Sequence, residues 1–166
     1  MGNDVRLREV TADDLPIFFE QQLDPEANHM AAFTPKDPTD RAAYMARWTR
    51  NLGDARNINR TILCDGQVAG SVSSYVDEAG RLEVTYWLGK EYCGRGIATQ
   101  ALAAFLAHAN TTRPIYARAA KDNLASLRVL QKCGFTIIGE DKGFANARGV
   151  EIEEYLLRLE ADPVGA

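Results

Sequence analysis

The alternation of apolar and polar residues predicts seven strands along the chain. Side chains of a strand point alternately to the two faces of a sheet, so a half-buried strand has a period of two. The stretches that show this pattern, or a short apolar run between turn residues, are Val5–Glu9, Thr61–Cys64, Val68–Val72, Leu82–Leu88, Ile115–Ala119, Phe135–Gly139 and Ile152–Leu159. Asp65-Gly66 favours a tight hairpin turn between the second and third of these strands.

Helical spacing of apolar residues predicts two helices in the N-terminal third. Thr11 is the expected N-cap of the first helix, with Asp14 in the capping-box position. Pro25 is expected to end this helix. The segment Glu26–Pro38 is predicted to be irregular, because its prolines interrupt a continuous element. The second helix is expected to begin near Thr39–Asp40.

Two more helices are predicted in the second half of the chain. One follows the loop Gly89–Arg95 and has a strongly apolar face. The other spans Asn123–Lys132, with Asn123 as its N-cap and Gly134 after its end. The predicted order is βααβββαβαββ, which indicates an α+β fold with helices packed on a mostly antiparallel sheet.

Composition and charge exclude several classes of protein. The 166 residues are 46% hydrophobic and 25% charged, which excludes wholesale disorder. The net charge of −4 argues against nucleic acid as the main partner, since phosphate binding needs a basic face. Neither a membrane-spanning apolar run nor an export signal is found, so we expect a cytoplasmic protein. The three cysteines are too few and too scattered for a disulfide framework or a zinc site, and we expect no metal.

A glycine-rich loop between a predicted strand and the third predicted helix is the first candidate binding site. Small residues at positions 94, 96 and 98 let the backbone approach a ligand closely, and the helix start offers free N–H groups. This arrangement suits a pyrophosphate, to which Arg95 can add a charge-assisted contact. The spacing is equally compatible with a tight turn that binds nothing. The residues of this candidate site are Gly94, Arg95, Gly96, Ile97, Ala98 and Thr99.

Two common nucleotide-binding loops do not fit these residues. A P-loop needs Lys and then Ser or Thr after its last glycine, but Gly96 is followed by Ile97. A dinucleotide fingerprint needs Gly or Ala where Thr99 stands. It also needs an acidic residue about 20 positions further on, where this chain has Ile115 and Tyr116.

A second motif runs from Asn123 to Phe135, with an Asn that opens a helix and a Gly-Phe pair that closes it. Together with the glycine-rich loop, it resembles the GNAT N-acetyltransferase superfamily, in which such a loop grips the pyrophosphate of acetyl-CoA. Tyr86–Tyr92 and Asn123–Leu130 resemble, more specifically, the ribosomal-protein N-terminal (alanine) acetyltransferase branch. The resemblance covers roughly Val5 to Leu159. It implies one domain over residues 1–166, with a three-layer α/β/α fold and a splayed sheet of about seven strands.

The resemblance also implies roles for particular residues. The backbone of Gly94–Thr99 would hold the pyrophosphate. The main chain of Tyr86, Trp87 and Leu88 would pair with pantetheine as though it were an added strand. Asn123 would hydrogen-bond the pantetheine arm and cap its own helix. The implied partners are acetyl-CoA as co-substrate and an amine acceptor, and the protein would be a monomer or a homodimer.

The chain departs from the family's pattern at three positions. Cys93 occupies the Gln or Arg position of the loop. Leu130 stands where many relatives have a Tyr that protonates the CoA thiolate, and Arg118 stands where some have a Glu that acts as base. Ser126 is the candidate for the missing acid.

Glu83 is the candidate base, and the acceptor decides how strong a base is needed. An α-amine with a pKa near 8 is neutral roughly one time in ten at pH 7, whereas a lysine is neutral about one time in 2,500. Deprotonation therefore costs about 1.4 kcal/mol for the α-amine and about 4.6 kcal/mol for the lysine. An enzyme with a modest base can accordingly use an α-amine. Without that role, Glu83 would be an exposed carboxylate on its strand.

These residues predict an N-acetyltransferase that moves an acetyl group from acetyl-CoA directly to a primary amine, in particular a protein N-terminal α-amine. Two alternatives stay open. One is a small-molecule acceptor, such as an amino acid, a polyamine or an antibiotic; the other is a module that binds acetyl-CoA without catalysis. A polyamine acceptor is compatible with the acidic residues around the irregular segment, which are Asp24, Glu26, Asp37 and Asp40.

Overall fold

Seven strands form one sheet in the order β1-β2-β3-β4-β5-β7-β6, in a computed structural model that describes residues 3–161. The strands are β1 (Val5–Glu9), β2 (Ile58–Cys64), β3 (Gln67–Val76), β4 (Leu82–Leu88), β5 (Ile115–Ala120), β6 (Thr136–Ala145) and β7 (Val150–Leu159). Every neighbouring pair is antiparallel except β4 and β5, which run parallel. The predicted mostly antiparallel sheet of about seven strands is confirmed, and the hairpin of β6 and β7 is longer than predicted.

Helices cover both faces of this sheet. They are α1 (Asp14–Gln21), α2 (Pro25–Ala31), α3 (Arg41–Gly53), α4 (Ile97–Ala104, continued by a wider π-turn over Phe105–Ala109) and α5 (Leu124–Lys132). On one face, α4 and α5 bury Leu102, Phe105 and Leu130 in the main core. On the other face, α1 packs on β3, and its Phe18 ring contacts Trp48 of α3.

The segment after α1 differs from its prediction. The prediction that Pro25 ends a helix is wrong, because α1 already ends at Gln21 and Pro25 begins α2. Proline suits the first position of a helix, where its missing N–H is not needed. The Asp24 side chain accepts a hydrogen bond from the N–H of Glu26 and caps the new helix. The first part of the predicted irregular segment is therefore helical.

The N-cap of α1 also differs from its prediction. Asp13 occupies the N-cap position, and its side chain makes no capping hydrogen bond. The other half of the predicted capping box is formed, because the backbone N–H of Thr11 donates to the Asp14 carboxylate at 2.9 Å. This contact fixes Asp14 at the start of the helix.

The turn between β2 and β3 confirms the predicted hairpin. Asp65 and Gly66 both have positive φ angles, 52° and 83°. A two-residue turn of this primed type matches the right-handed twist of the strands on either side. It pairs Cys64 with Gln67. The next turn, at residues 77–80, joins β3 to β4, and Tyr75 lies opposite Glu83 in that pair.

The parallel pair of β4 and β5 separates along its length. The two strands pair at Glu83 and Tyr116, the only register pair between them in the part of the chain that the structure describes. Beyond this point they diverge, and their carboxyl ends lead into the starts of α4 and α5. Diverging parallel strands leave a crevice at their carboxyl ends, where a ligand can bind.

Candidate active site

A cavity of about 740 Å³ opens where β4 and β5 diverge. Its walls are formed by both strands, by the loop before α4, by the start of α5 and by α2. The predicted site residues that line it are Glu83, Tyr86, Trp87, Leu88, Gly94, Ala98, Asn123 and Ser126. The splay thus brings most of the candidate residues to one place.

The loop before α4 is shaped for a close approach of its backbone. Gly94 and Gly96 have positive φ angles of 75° and 77°, a conformation that other residues rarely adopt. Gly96 is the N-cap, and the first helical bond runs from the N–H of Gln100 to its carbonyl. The N–H groups of Ile97, Ala98 and Thr99 precede that bond and are not used by the helix. Ile97 anchors the turn, since its side chain is fully buried.

Arg95 does not reach the cavity. Its guanidinium donates to the side chain of Asn3 at 2.7 Å and lies 5.8 Å from the ring of Tyr92. In the structure its charge therefore lies outside the cavity lining, beside Asn3 and Tyr92. The cation that lines the cavity near this loop is Lys90, which sequence reasoning missed.

Asn123 and Ser126 form the start of α5. The Asn123 side chain accepts a hydrogen bond from the N–H of Ser126 at 3.2 Å, which confirms its predicted role as N-cap. It also donates to the carbonyl of Met30 in α2 at 3.3 Å. Asn123 therefore fixes α2 over the cavity in addition to capping α5.

Tyr86 brings a phenol into the cavity from β4. Its hydroxyl lies 3.0 Å from the Ser126 hydroxyl, within hydrogen-bond distance. Burial raises the pKa of Tyr86, so the phenol is protonated at neutral pH. The sequence analysis predicted Ser126 as the acid and gave Tyr86 only a main-chain role, pairing with pantetheine. The structure shows the two hydroxyl groups as a pair in the cavity, which Leu130 also lines.

Glu83 lies at the closed end of the cavity and is only 4% exposed. The Tyr75 hydroxyl donates to one carboxylate oxygen at 3.3 Å, and the Arg118 guanidinium contacts the other at 3.4 Å. Burial and the neighbouring Asp77 carboxyl raise the pKa of Glu83 and Arg118 lowers it, with a net pKa of about 7. Glu83 is therefore not the exposed carboxylate considered above, and its proton is exchangeable near neutral pH.

Arg118 holds several carboxylates around this end of the cavity. It contacts Glu154 at 2.9 Å and Asp141 at 3.3 Å in addition to Glu83. These carboxylates keep the Arg118 pKa high despite burial, so its side chain stays charged. Arg118 therefore positions Glu83 and does not act as a base.

A membrane-spanning helix and a metal-binding cluster are both absent from residues 3–161. None of the helices in this range is long and apolar enough to cross a membrane. No group of three or more His, Cys, Asp or Glu side chains in the same range could hold a metal ion.

A family model identifies the class to which this fold and site belong. The model described as the acetyltransferase (GNAT) domain matches residues 4–136. The chain belongs to the GNAT acetyltransferase family, and its activity class is that of an N-acetyltransferase. The resemblance inferred from the two sequence motifs is confirmed.

Individual proteins are similar to this chain in sequence or in fold. The chain is 25% identical to "Uncharacterized N-acetyltransferase p20" of Bacillus licheniformis over 161 residues, which are 92% of this chain and 90% of the relative. A ribosomal-protein-alanine N-acetyltransferase from Brucella melitensis has a similar structure (TM-score 0.78, 20% identity, 93% of this chain and 99% of that chain). So does spermidine N-acetyltransferase from Vibrio cholerae in complex with CoA and spermine (TM-score 0.78, 16% identity, 94% and 95%).

Proposed function

We propose that this protein transfers the acetyl group of acetyl-CoA directly to a primary amine, and that the acceptor is the α-amine of a peptide or protein N-terminus. The observation that carries this proposal is the cavity at the splay. It has unused helix N–H groups at one end and the buried carboxylate of Glu83 at the other. The similar spermidine enzyme is a structure with CoA bound, which supports the choice of co-substrate.

The residues around the cavity fit the parts of acetyl-CoA. The N–H groups of Ile97, Ala98 and Thr99 would hold the pyrophosphate, because a helix start favours negative charge. Lys90 would add a positive charge there. The main chain of Tyr86–Leu88 faces the gap between the strands and would pair with pantetheine, beside Asn123. Bound acetyl-CoA supplies an activated thioester carbonyl at the closed end.

The reaction removes two protons from the acceptor nitrogen and adds one to the thiolate, and the cavity has side chains that can carry them. Glu83 takes the proton of the acceptor ammonium, so that the neutral nitrogen forms the new bond to the acetyl carbon. As the carbon–sulfur bond breaks, the Tyr86 hydroxyl gives its proton to the thiolate. The Tyr86 phenolate then takes the second proton of the nitrogen as the amide forms, and Glu83 releases the first proton to solvent. Ser126 positions that hydroxyl through its 3.0 Å contact. The remaining rate acceleration comes from holding the two substrates together.

Tyr86→Phe removes the proposed acid and keeps the ring. We expect kcat to fall about 10- to 100-fold while the affinity for acetyl-CoA changes little, because general acids typically contribute this much or more. Steady-state kinetics with a peptide acceptor measures both quantities. Tyr155→Phe is the matched control, since Tyr155 lies outside the cavity lining and packs against Lys121. A full-rate Tyr86→Phe variant would show that another group protonates the thiolate.

Thermal unfolding with and without acetyl-CoA tests the proposed co-substrate. A ligand at 100 times its Kd stabilises the folded state by about 2.7 kcal/mol. For a chain of this length we expect Tm to rise by roughly 5–10 °C. Desulfo-CoA should act similarly, since it keeps the pyrophosphate and most of pantetheine. An unchanged Tm with either ligand would contradict the proposal.

A further inference from the structure

A second cavity, of about 450 Å³, lies between α3 and the sheet. It is on the same face of β3 and β4 as Glu83, because Ser71, Ser73 and Thr85 line it and alternate with core residues such as Val72. The residues that it shares with the cavity at the splay are Tyr75, Thr85, Tyr86 and Trp87. The two cavities are therefore neighbours across a common wall of β3 and β4.

The second cavity carries a positive charge that the protein does not neutralise. Arg47 lines it, and within residues 3–161 this guanidinium forms no ion pair and donates no hydrogen bond. It lies 5.7 Å from the ring of Tyr44. The other charged group in the lining is Asp54, whose carboxylate is held by Arg56 at 2.8 Å. A ligand in this cavity would therefore meet a free cation.

Hydrogen bonds hold the far wall of this cavity in place. Asn57 donates to the side-chain oxygen of Asn51 at 2.7 Å, and Asn51 donates to Asn59 of β2 at 3.0 Å. Asn59 is itself buried. This network fixes the end of α3 on the sheet, so the cavity exists before any ligand binds.

The second cavity begins at Tyr75, which lines both cavities, and has the length of a short extended chain along β3. The Tyr75 hydroxyl contacts Glu83, and the second cavity follows β3 from Tyr75 back to Ser71. Four residues of strand span roughly 13 Å at about 3.3 Å per residue. An acceptor with its amine at Glu83 would bring its second or third residue into this cavity, where Arg47 lies.

We propose that this cavity binds the acceptor beyond its reactive amine, and that Arg47 recognises a carboxylate there. The acceptors would be N-terminal segments with Asp or Glu as the second or third residue. An Arg guanidinium matches a carboxylate with two parallel hydrogen bonds, which gives selectivity over the amide and over a cation. This inference rests on the proposed function. It also disfavours a polyamine acceptor, which Arg47 would repel.

Tryptophan fluorescence measures the proposed binding directly. Both tryptophans of the chain, Trp48 and Trp87, line this cavity. The probes are the tetrapeptide amides Ala-Glu-Ala-Ala, Ala-Ala-Glu-Ala and their Gln and Lys counterparts, with spermidine as a polyamine, each titrated in the presence of CoA. We expect a Glu peptide to bind about tenfold more tightly than its Gln counterpart, with the Lys peptides and spermidine weakest.

Two variants assign that preference to Arg47. In Arg47→Ala the preference for Glu over Gln peptides should disappear. In acetyl-transfer assays this variant should have a higher KM for the Glu peptide and a nearly unchanged kcat. Arg50→Ala is the matched control, because Arg50 is an exposed arginine of the same helix outside the lining, and it should keep the preference.

Other outcomes separate this inference from the proposed function. Equal affinity for Glu and Gln peptides, a preference that survives Arg47→Ala, or tighter binding of spermidine would overturn the inference. If the peptides were still acetylated, the proposed function would stand without it. A Glu preference that depends on Arg47 but occurs without acetyl transfer would support the site and contradict the proposed function.

Discussion

Glu83→Gln should lower kcat/KM for a peptide α-amine about 100-fold, with acetyl-CoA affinity unchanged. The amide keeps the size of the side chain but cannot accept a proton from the ammonium. General bases contribute about 10²–10⁴-fold, and we expect the low end because an α-amine already costs only about 1.4 kcal/mol to deprotonate at pH 7. With a lysine side chain as the acceptor, the same substitution should lower kcat/KM by a larger factor, because the lysine amine is harder to deprotonate. The measurement is the initial rate of CoA thiol release.

The pH profile separates a base from a merely structural carboxylate. Glu83 must be ionised to act, and its pKa is raised to about 7, so wild-type kcat/KM should fall as pH decreases below 7. In Glu83→Gln this acid limb should move to the pKa of the acceptor amine itself, near 8. Glu151→Gln is the control, since Glu151 is exposed on β7. An acid limb near 7 that persists in Glu83→Gln would assign the base to another group.

Asp14→Ala should lower the free energy of unfolding by about 3 kcal/mol. The Asp14 side chain is 3% exposed and receives two hydrogen bonds from Arg8, at 2.7 and 2.8 Å. It also accepts from the Thr61 hydroxyl at 2.7 Å and from the N–H of Thr11. Truncation leaves these donors without an acceptor, which is costly in a buried site. We expect Tm to fall by roughly 6–12 °C for a chain of this length.

The contribution of Asp14 should depend on pH in a defined direction. Burial by itself raises the pKa of Asp14, but the hydrogen bonds from Arg8, Thr11 and Thr61 hold it well below its usual range. A depressed carboxyl pKa stabilises the folded state above the unfolded pKa, near 4, and the effect is lost as pH falls towards the folded value. Urea unfolding should therefore show a gap between wild type and Asp14→Ala that narrows below about pH 4.

Asp13→Ala is the matched control for this site. Asp13 is exposed, and its side chain makes no capping hydrogen bond although it occupies the N-cap position. Its substitution should change stability by less than about 0.5 kcal/mol. Equal effects at the two positions would mean that the Asp14 network contributes nothing specific.

Strands, helices and turns could be predicted from the sequence where a local residue pattern determines the backbone conformation. The hairpin at Asp65-Gly66 is an example, because two positive φ angles select these residue types. The wrong prediction that Pro25 ends a helix also came from a local pattern. Proline is found both after a helix and at its first position, and only the Asp24 cap distinguishes the two. The sequence did contain this signal, as an Asp directly before the proline.

The site could be predicted only in part, because side-chain directions depend on tertiary packing. The glycine spacing identified the loop before α4, but not that Arg95 turns to Asn3 while Lys90 lines the cavity. Likewise, nothing local to Tyr86 indicates that its hydroxyl meets Ser126, 40 positions away. The cavity beside Arg47 arises from the placement of α3 on the sheet, which no motif encodes.

Acetyl transfer itself is the most direct test of the account. The measurement is CoA release from acetyl-CoA, with mass spectrometry of the acceptor, for wild type and Glu83→Gln at pH 7 with the amidated Glu peptide. We expect one acetyl group on the peptide α-amine, formed in step with CoA, and a rate about 100-fold lower in the variant. CoA release that does not depend on the peptide, or transfer at equal rates in both proteins, would contradict the mechanism.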